Sequence, residues 1–279
     1  MNYFATTNLH ISLAAEKVFS IGSFTVTNSL VLGSIGVLVM LGVLFYVARQ
    51  VRKGSYNRFV GTVQLIFETL LQQCDDVMGD KVLARKIAPL AITIFFTVLF
   101  TYWIGILPGV GSITVGEEHT PLFRALPADL NFTFAIAIIT IVASQLYAIK
   151  YHGFFGNIGR YVKNPLKDPI AAFEGILEFI GEFSRLVALS FRLFGNTFAG
   201  EVLLMVVAIL AGYFASLALP FVMVFELFIG FIQAYVFFML TLIFTSLAVA
   251  THGGGHEKLR TTSSRHSSAH ASKMHPQTE

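Results

Sequence analysis

The chain has 279 residues, 55% of them hydrophobic and only 13% charged, with a net charge of +3 and a mean hydropathy of +0.71. A soluble domain is about 25% charged, so half that share in long apolar runs excludes one and selects a polytopic membrane protein. The single cysteine, Cys74, excludes an internal disulfide, and the 28 Phe suit a surface that faces lipid.

Residues 1–28 read as a short external arm. They lack the basic start, apolar core and small-residue cleavage site of a leader peptide. Residues 29–48, "SLVLGSIGVLVMLGVLFYVA", are about one membrane span. Arg49, Arg52, Lys53 and Arg58 follow at once, and cations beside a span mark the cytoplasmic side. The N-terminus is therefore expected outside. Over 59–79, Phe59, Val63, Ile66, Phe67, Leu70 and Leu71 recur at helical spacing, with Gln64, Glu68, Gln72 and Asp75 opposite them. This predicts an amphipathic helix lying at the interface or against a partner.

The span 87–107 then runs outward, with Tyr102 and Trp103 expected as interface anchors near its far end. Glu117, Glu118 and Asp129 against one Arg124 give the following loop the sparse-cation signature of the outside. Residues 130–150 return inward, to a loop made basic by Lys150, Arg160, Lys163 and Lys167. Two long segments follow, 170–212 and 219–251, with a break expected near Pro220. Thirty-odd residues make about 50 Å of helix, against about 30 Å of hydrocarbon, so both must tilt strongly, kink or lie partly in the plane. The tail, 252–279, is rich in Ser, His and Gly and reads as disordered and cytoplasmic. Five of the eight His lie there at irregular spacing, which reads as a solvated tail in preference to a metal site. The fold class is thus all-α: about five membrane-embedded helices in one membrane domain, 29–251, plus the amphipathic helix. No internal repeat is visible, against the duplicated halves of many transporters.

Within this apolar chain, "SFRLFGNTFAGE" (190–201) stands out. Leu186 to Thr251 carries three charges: Arg192, Glu201 and Glu226. At about 100° per residue, Glu174, Glu178, Arg185, Arg192 and Asn196 fall on one line, with Glu182 beside it. The line runs about 21 Å along the axis from Glu178 to Arg192. Glu201 points to the opposite side, and Gly195 and Gly200 leave room for close approach around this helix. On the last helix Glu226, Gly230 and Gln233 share a face. Glu182 and Arg185 have the spacing of an ordinary i, i+3 ion pair, and Glu174 and Glu178 can be simply hydrated. Arg192 is harder to treat as structural, because a charge at mid-span costs at least ~2.5–3.5 kcal/mol and such residues mark ion pathways. Two acids on other faces, with no second cation to match them, suggest a route and not a closed ion pair.

"LSFRLFGNTFAGE" closely resembles the signature of subunit a of the F-type ATP synthase. "FELFIGFIQAYVFFMLTLIF" resembles that family's last helix, and "LPADLNFTFAIA" the opening of the preceding span. The resemblance covers about 10–250. It implies that Arg192 is the family's essential arginine, facing the rotor ring, with Asn196 and Gln233 as polar residues near it. Glu201 and Glu226 take the acidic or histidine positions of the outer half-channel, and Glu178 a polar position of the inner one. With Glu at both outer positions, no imidazole relay is available there.

The resemblance further implies a non-catalytic subunit without cofactor or metal. Its partners would be the c-ring, b-type peripheral stalk subunits, the F1 sector and the lipid bilayer, with no nucleic acid, in a cell's inner (plasma) membrane. The ring carries the carboxylate that selects H⁺ or Na⁺. A secondary transporter or ion channel is the rival class; it predicts repeats, broken half-helices or a self-assembled pore. An intramembrane enzyme would need an HExxH, a GxSxG or paired catalytic aspartates within the spans, and these are not present.

Overall fold

The computed structural model describes residues 14–22, 24–55, 57–110, 114–115, 120–161 and 169–250. The expectations for 1–13 and for the His-rich tail lie outside these residues. Within them the chain is all-α, with two small antiparallel hairpins at one end of the helices. Strand β1 (Lys17–Ile21) pairs with β2 (Phe24–Thr27). This stretch, read from sequence only as part of an arm, is rich in β-branched and aromatic residues: Val18, Phe19, Ile21, Phe24, Thr25, Val26 and Thr27. Gly22, at φ +62°, turns the corner.

Helix α1 (Asn28–Arg52) starts at a polar knot. The Asn28 side chain accepts from the Glu16 and Ser29 N–H groups and donates to the Pro121 carbonyl. Ser29 Oγ donates to Asp129 at 2.8 Å, tying the start of α1 to the residue just before the helix that opens at Leu130. These bonds satisfy donors and acceptors that no helix partner reaches. Gly33 and Gly36 lie on the buried face of α1, where Leu126, Thr101 and Ile104 approach closely.

Helix α2 (Arg58–Met78) ends at Gly79, which takes φ +67°. Asp80 then caps α3 (Lys81–Gly105) by accepting from the Val82 N–H at 2.8 Å. The buried residues of α2 are Val60, Leu70 and Cys74, whereas Phe59, Leu65 and Phe67 are exposed. The helix therefore docks along a narrow seam and keeps an apolar face free of the rest of the chain. Helix α3 is the centre of the core: Ala84, Ile87, Ala91, Phe95 and Val98 are wholly buried, against α1, α2 and the last helix, Ala215–Ala250.

Cys74 is packed into this core beside Asp75. Burial, helped by the Asp75 charge, pushes its thiol up to about 11. Because the thiolate is the reactive form, reactivity should rise with pH up to that value. At pH 8 the thiolate fraction is about two hundredfold below that of a free cysteine. Maleimide is therefore expected to leave Cys74 untouched in the folded protein and to label it fully once detergent unfolds the chain. Fast labelling of the native protein at pH 7 would contradict this packing.

A short hairpin, β3 (Thr114–Val115) and β4 (Thr120–Pro121), and a 3-10 turn at Leu126–Ala128 lead into α4 (Leu130–Tyr161), which bends at Gly153 with φ +74°. Helix α5 (Pro169–Ala211) has 43 residues and α6 (Ala215–Ala250) has 36. They are about 65 Å and 54 Å long. The break between them falls at the 3-10 turn Gly212–Phe214 and not near Pro220. Gly212 takes φ +48°, which glycine adopts at no steric cost. Pro220 stays inside α6 and removes only one backbone donor. Among the described residues four segments are long and apolar enough to cross a membrane: Asn28–Arg52, Lys81–Gly105, Leu130–Tyr151 and Ala172–Val249, the last spanning both α5 and α6.

Candidate functional site

Helix α5 presents two different faces. Leu189, Ser190, Leu193 and Thr197 are buried against the neighbouring helices. Ser190 and Thr197 return their hydroxyls to carbonyls one turn back, so no hydroxyl is stranded. Arg192 lies off this face and is exposed, beside the equally exposed Phe191. Among the described residues nothing pairs with its guanidinium. Gly195 borders the same open side, and a methyl there would meet nothing within 4 Å.

One turn on, Asn196 Nδ2 donates to Gln233 Oε1 at 2.9 Å, joining α5 to α6. Gln233 is buried, and its Nε2 has no partner among the described residues. An unmet donor at this depth is costly, and it lies on the same side of the bundle as Arg192's neighbour Asn196.

The two deeper acids have separate seats. Glu226 on α6 is only 3% exposed. Its Oε2 accepts from the Tyr102 hydroxyl of α3 at 3.0 Å. Its carboxylate rests directly on Gly200 of α5, where a Cβ would collide with both oxygens. Glu201 is partly exposed and turns toward the loop before α4. One oxygen lies 3.4 Å from Arg124 Nε, and the other accepts from the Ala125 N–H at 3.2 Å. Arg124 is 8% exposed and also donates to the Ala14 carbonyl at 2.8 Å. The expectation that no second cation matches these acids is thus corrected: Arg124, taken from the sequence for a lone outer-loop charge, is folded inward onto Glu201.

Glu178 lies far down α5 on the wall of a cavity of about 130 Å³, shared with Ser144, Glu182, Arg185 and Phe244. Glu182 accepts from Gln145 at 2.6 Å, and the Arg185 guanidinium lies 5.2 Å from the Phe244 ring centre. The i, i+3 ion pair open from sequence does not form; each partner reaches across to another helix instead. The stripe on α5 thus divides into a half-buried lower part at Glu178 and Arg185 and an exposed upper part at Arg192 and Asn196. Among the described residues no cluster of His, Cys, Asp or Glu is placed to hold a metal.

The family described as ATP synthase A chain matches residues 30–246. The ATP synthase subunit a of Acidothermus cellulolyticus is 31% identical over 235 residues, covering 83% of this chain and 78% of that one. That of Helicobacter pylori strain P12 is 31% identical over 246 residues, covering 86% and 99%. That of Psychrobacter arcticus is 28% identical over 260 residues, covering 86% and 89%. The chain belongs to the ATP synthase subunit a family.

As a subunit a it is a multi-pass membrane component of the F0 sector, which serves proton transport and ATP synthesis. In this member of the family two residues of the site carry little sign of it in the sequence. The sequence makes Tyr102 an expected interface anchor; Trp103 beside it is exposed and donates to the Leu227 carbonyl at 2.9 Å, but Tyr102 points the other way and is 1% exposed. A faint signal existed: Gly230, one turn from Glu226, makes room for something bulky, and that something is the Tyr102 ring. Arg124 offered no signal, since one cation in an outer loop has no pattern.

Gly200 provides a direct check of the acid's seat. Gly200→Ala is expected to force the Glu226 carboxylate aside, at about 1–3 kcal/mol, and to slow proton flux several-fold. Gly42→Ala, where the new methyl meets nothing, is expected to have no effect on flux. Equal flux in both variants, measured in reconstituted F0, would show that Glu226 is not held against Gly200.

Proposed function

We propose that this chain is the stator half of the proton motor, with two offset half-channels and one fixed cation between them. Arg192 faces the c-ring and favours the ionised form of the ring carboxylate that passes it, since an opposite charge within a few ångströms does so. Arginine does not deprotonate, so it also bars a direct proton path from one half-channel to the other. Protons enter from outside past Glu226 and Glu201, neutralise a ring carboxylate, travel round in lipid, and leave inward by Glu178 and its cavity. Asn196 and Gln233 hold α5 and α6 together beside the arginine. Each charge crossing 100 mV releases ~2.3 kcal/mol, and this drives the ring. The subunit does no bond chemistry itself; catalysis resides in the F1 sector, with b-type stalk subunits holding the stator still.

The observation that carries this reading is Arg192: a permanent cation on an apolar helix, exposed, with no partner among the described residues. A cation in such a place needs an anion from another chain. In a secondary transporter or simple channel it would be expected to pair within its own bundle or line an internal pore.

We place the chain in the cell's inner (plasma) membrane, as one membrane domain over 29–251 with the N-terminus outside and the C-terminus in the cytoplasm. Introduced cysteines test both the orientation and the interface. An impermeant maleimide added to intact cells should label Leu107→Cys and miss Lys53→Cys; the reverse pattern would overturn the orientation. Gly195→Cys should form a disulfide with a cysteine placed beside the ring carboxylate, and the gently solubilised chain should bring the ring and the nucleotide-binding subunits with it. Failure of Gly195→Cys to cross-link in the assembled complex would move the rotor to another face.

A further inference from the structure

Tyr102 belongs to none of the roles above, yet it touches the acid on which the outer path depends. Four observations converge on it. Its hydroxyl donates to Glu226 Oε2 at 3.0 Å. Its side chain is almost wholly inaccessible. Its ring lies so close over Gly230 that a Cβ there would strike it. And Glu226, Gly230 and Gln233 follow one another on a single face of α6, so the ring covers that face at Gly230, between the acid and the position of Gln233, whose Nε2 has no partner among the described residues.

We propose that Tyr102 is a positioning residue of the proton route: its hydroxyl occupies Glu226 Oε2, leaving Oε1 as the oxygen that takes up a proton, while its ring keeps Glu226 apart from the Asn196–Gln233 pair. The proposal rests on the reading of Glu226 as a proton station. A carboxylate can accept at both oxygens, and a donor held by packing selects one of them. Gly200 closes the side toward α5 and Gly230 seats the ring. The other charged groups at this level are Glu201, one residue past Gly200, and Arg124, which is held on Glu201. Tyr102 is the one described side chain that hydrogen-bonds Glu226. A phenol also keeps its proton at physiological pH, so it donates steadily where a carboxylate or imidazole would titrate.

The test is passive proton conduction through F0 after the peripheral sector is removed, measured against pH. Tyr102→Phe keeps the ring and removes only the hydroxyl, so assembly should be unchanged. Conduction should fall roughly tenfold, the scale of one hydrogen bond to a charged group, and the pH midpoint should move. In a Glu226→Leu background the same change should add nothing, because the hydroxyl then has no carboxylate to hold. Wild-type rate and pH profile in Tyr102→Phe would overturn the proposal. So would an equal loss in both backgrounds with the midpoint unmoved, which is the mark of a merely structural tyrosine. Normal conduction by Glu226→Leu would instead remove the proton station, and the role of Tyr102 with it.

Discussion

Arg192→Lys is expected to abolish both coupled ATP synthesis and ATP-driven acidification of inverted vesicles, while the variant still inserts and assembles. The reason is the kind of charge, not its sign. Lysine is a compact, strongly hydrated cation whose pKa shifts readily on desolvation, and it lacks the planar fork that meets a carboxylate at two points. Arg192→Ala should be equally inactive and should also let protons leak through the joined half-channels once the peripheral sector is stripped. Packing makes this a clean experiment. The buried neighbours on α5 are Leu189 and Leu193, so removing an exposed side chain should change stability by no more than about 0.5 kcal/mol. Asn196→Ala breaks the bond to Gln233, costs about 1 kcal/mol, and should be much milder in function. Robust pumping by Arg192→Ala would leave the arginine as a structural cation and remove it from the mechanism.

Glu226→Leu is expected to reduce proton flux to a small residue of the wild-type rate in complexes that assemble normally. Leucine is close in volume and can be buried where Glu226 is; only the Tyr102 hydroxyl loses a partner. Glu226→His should retain much of the flux, since imidazole also carries a proton. The second acid should behave differently, for a reason visible in the structure. Glu201→Leu leaves Arg124, 8% exposed, without its carboxylate. An uncompensated buried charge costs about 3–5 kcal/mol. The partial exposure of Glu201 lowers that to about 2 kcal/mol, so this variant should lose assembled complex as well as flux. Arg124→Met with Glu201→Leu should recover assembly without recovering flux. The yield of purified complex and its proton conduction separate the two effects. If both single leucine variants conduct at the wild-type rate, neither acid lies on the path.

Much of this protein is legible along the chain. Hydropathy alone separates the apolar helices from their loops, because burying some twenty residues in lipid leaves no room for charge. The 3.6-residue period places Arg192 and Asn196 on one line of α5 and Glu226 and Gln233 on one face of α6, since those relations are local to a single helix. The motif around Arg192 pointed to the family before any contact was known. Which face meets which depends on how the helices pack. Tyr102 and Glu226 are 124 residues apart in the chain, and Arg124 reaches Glu201 from a loop that carries no period at all. Periodicity gives each side chain a direction around its own axis. The neighbour it finds there depends on the height and rotation of a second helix, and these are set by small residues such as Gly200 and Gly230, which let one helix come close enough to another for a carboxylate or an aromatic ring to lie between them.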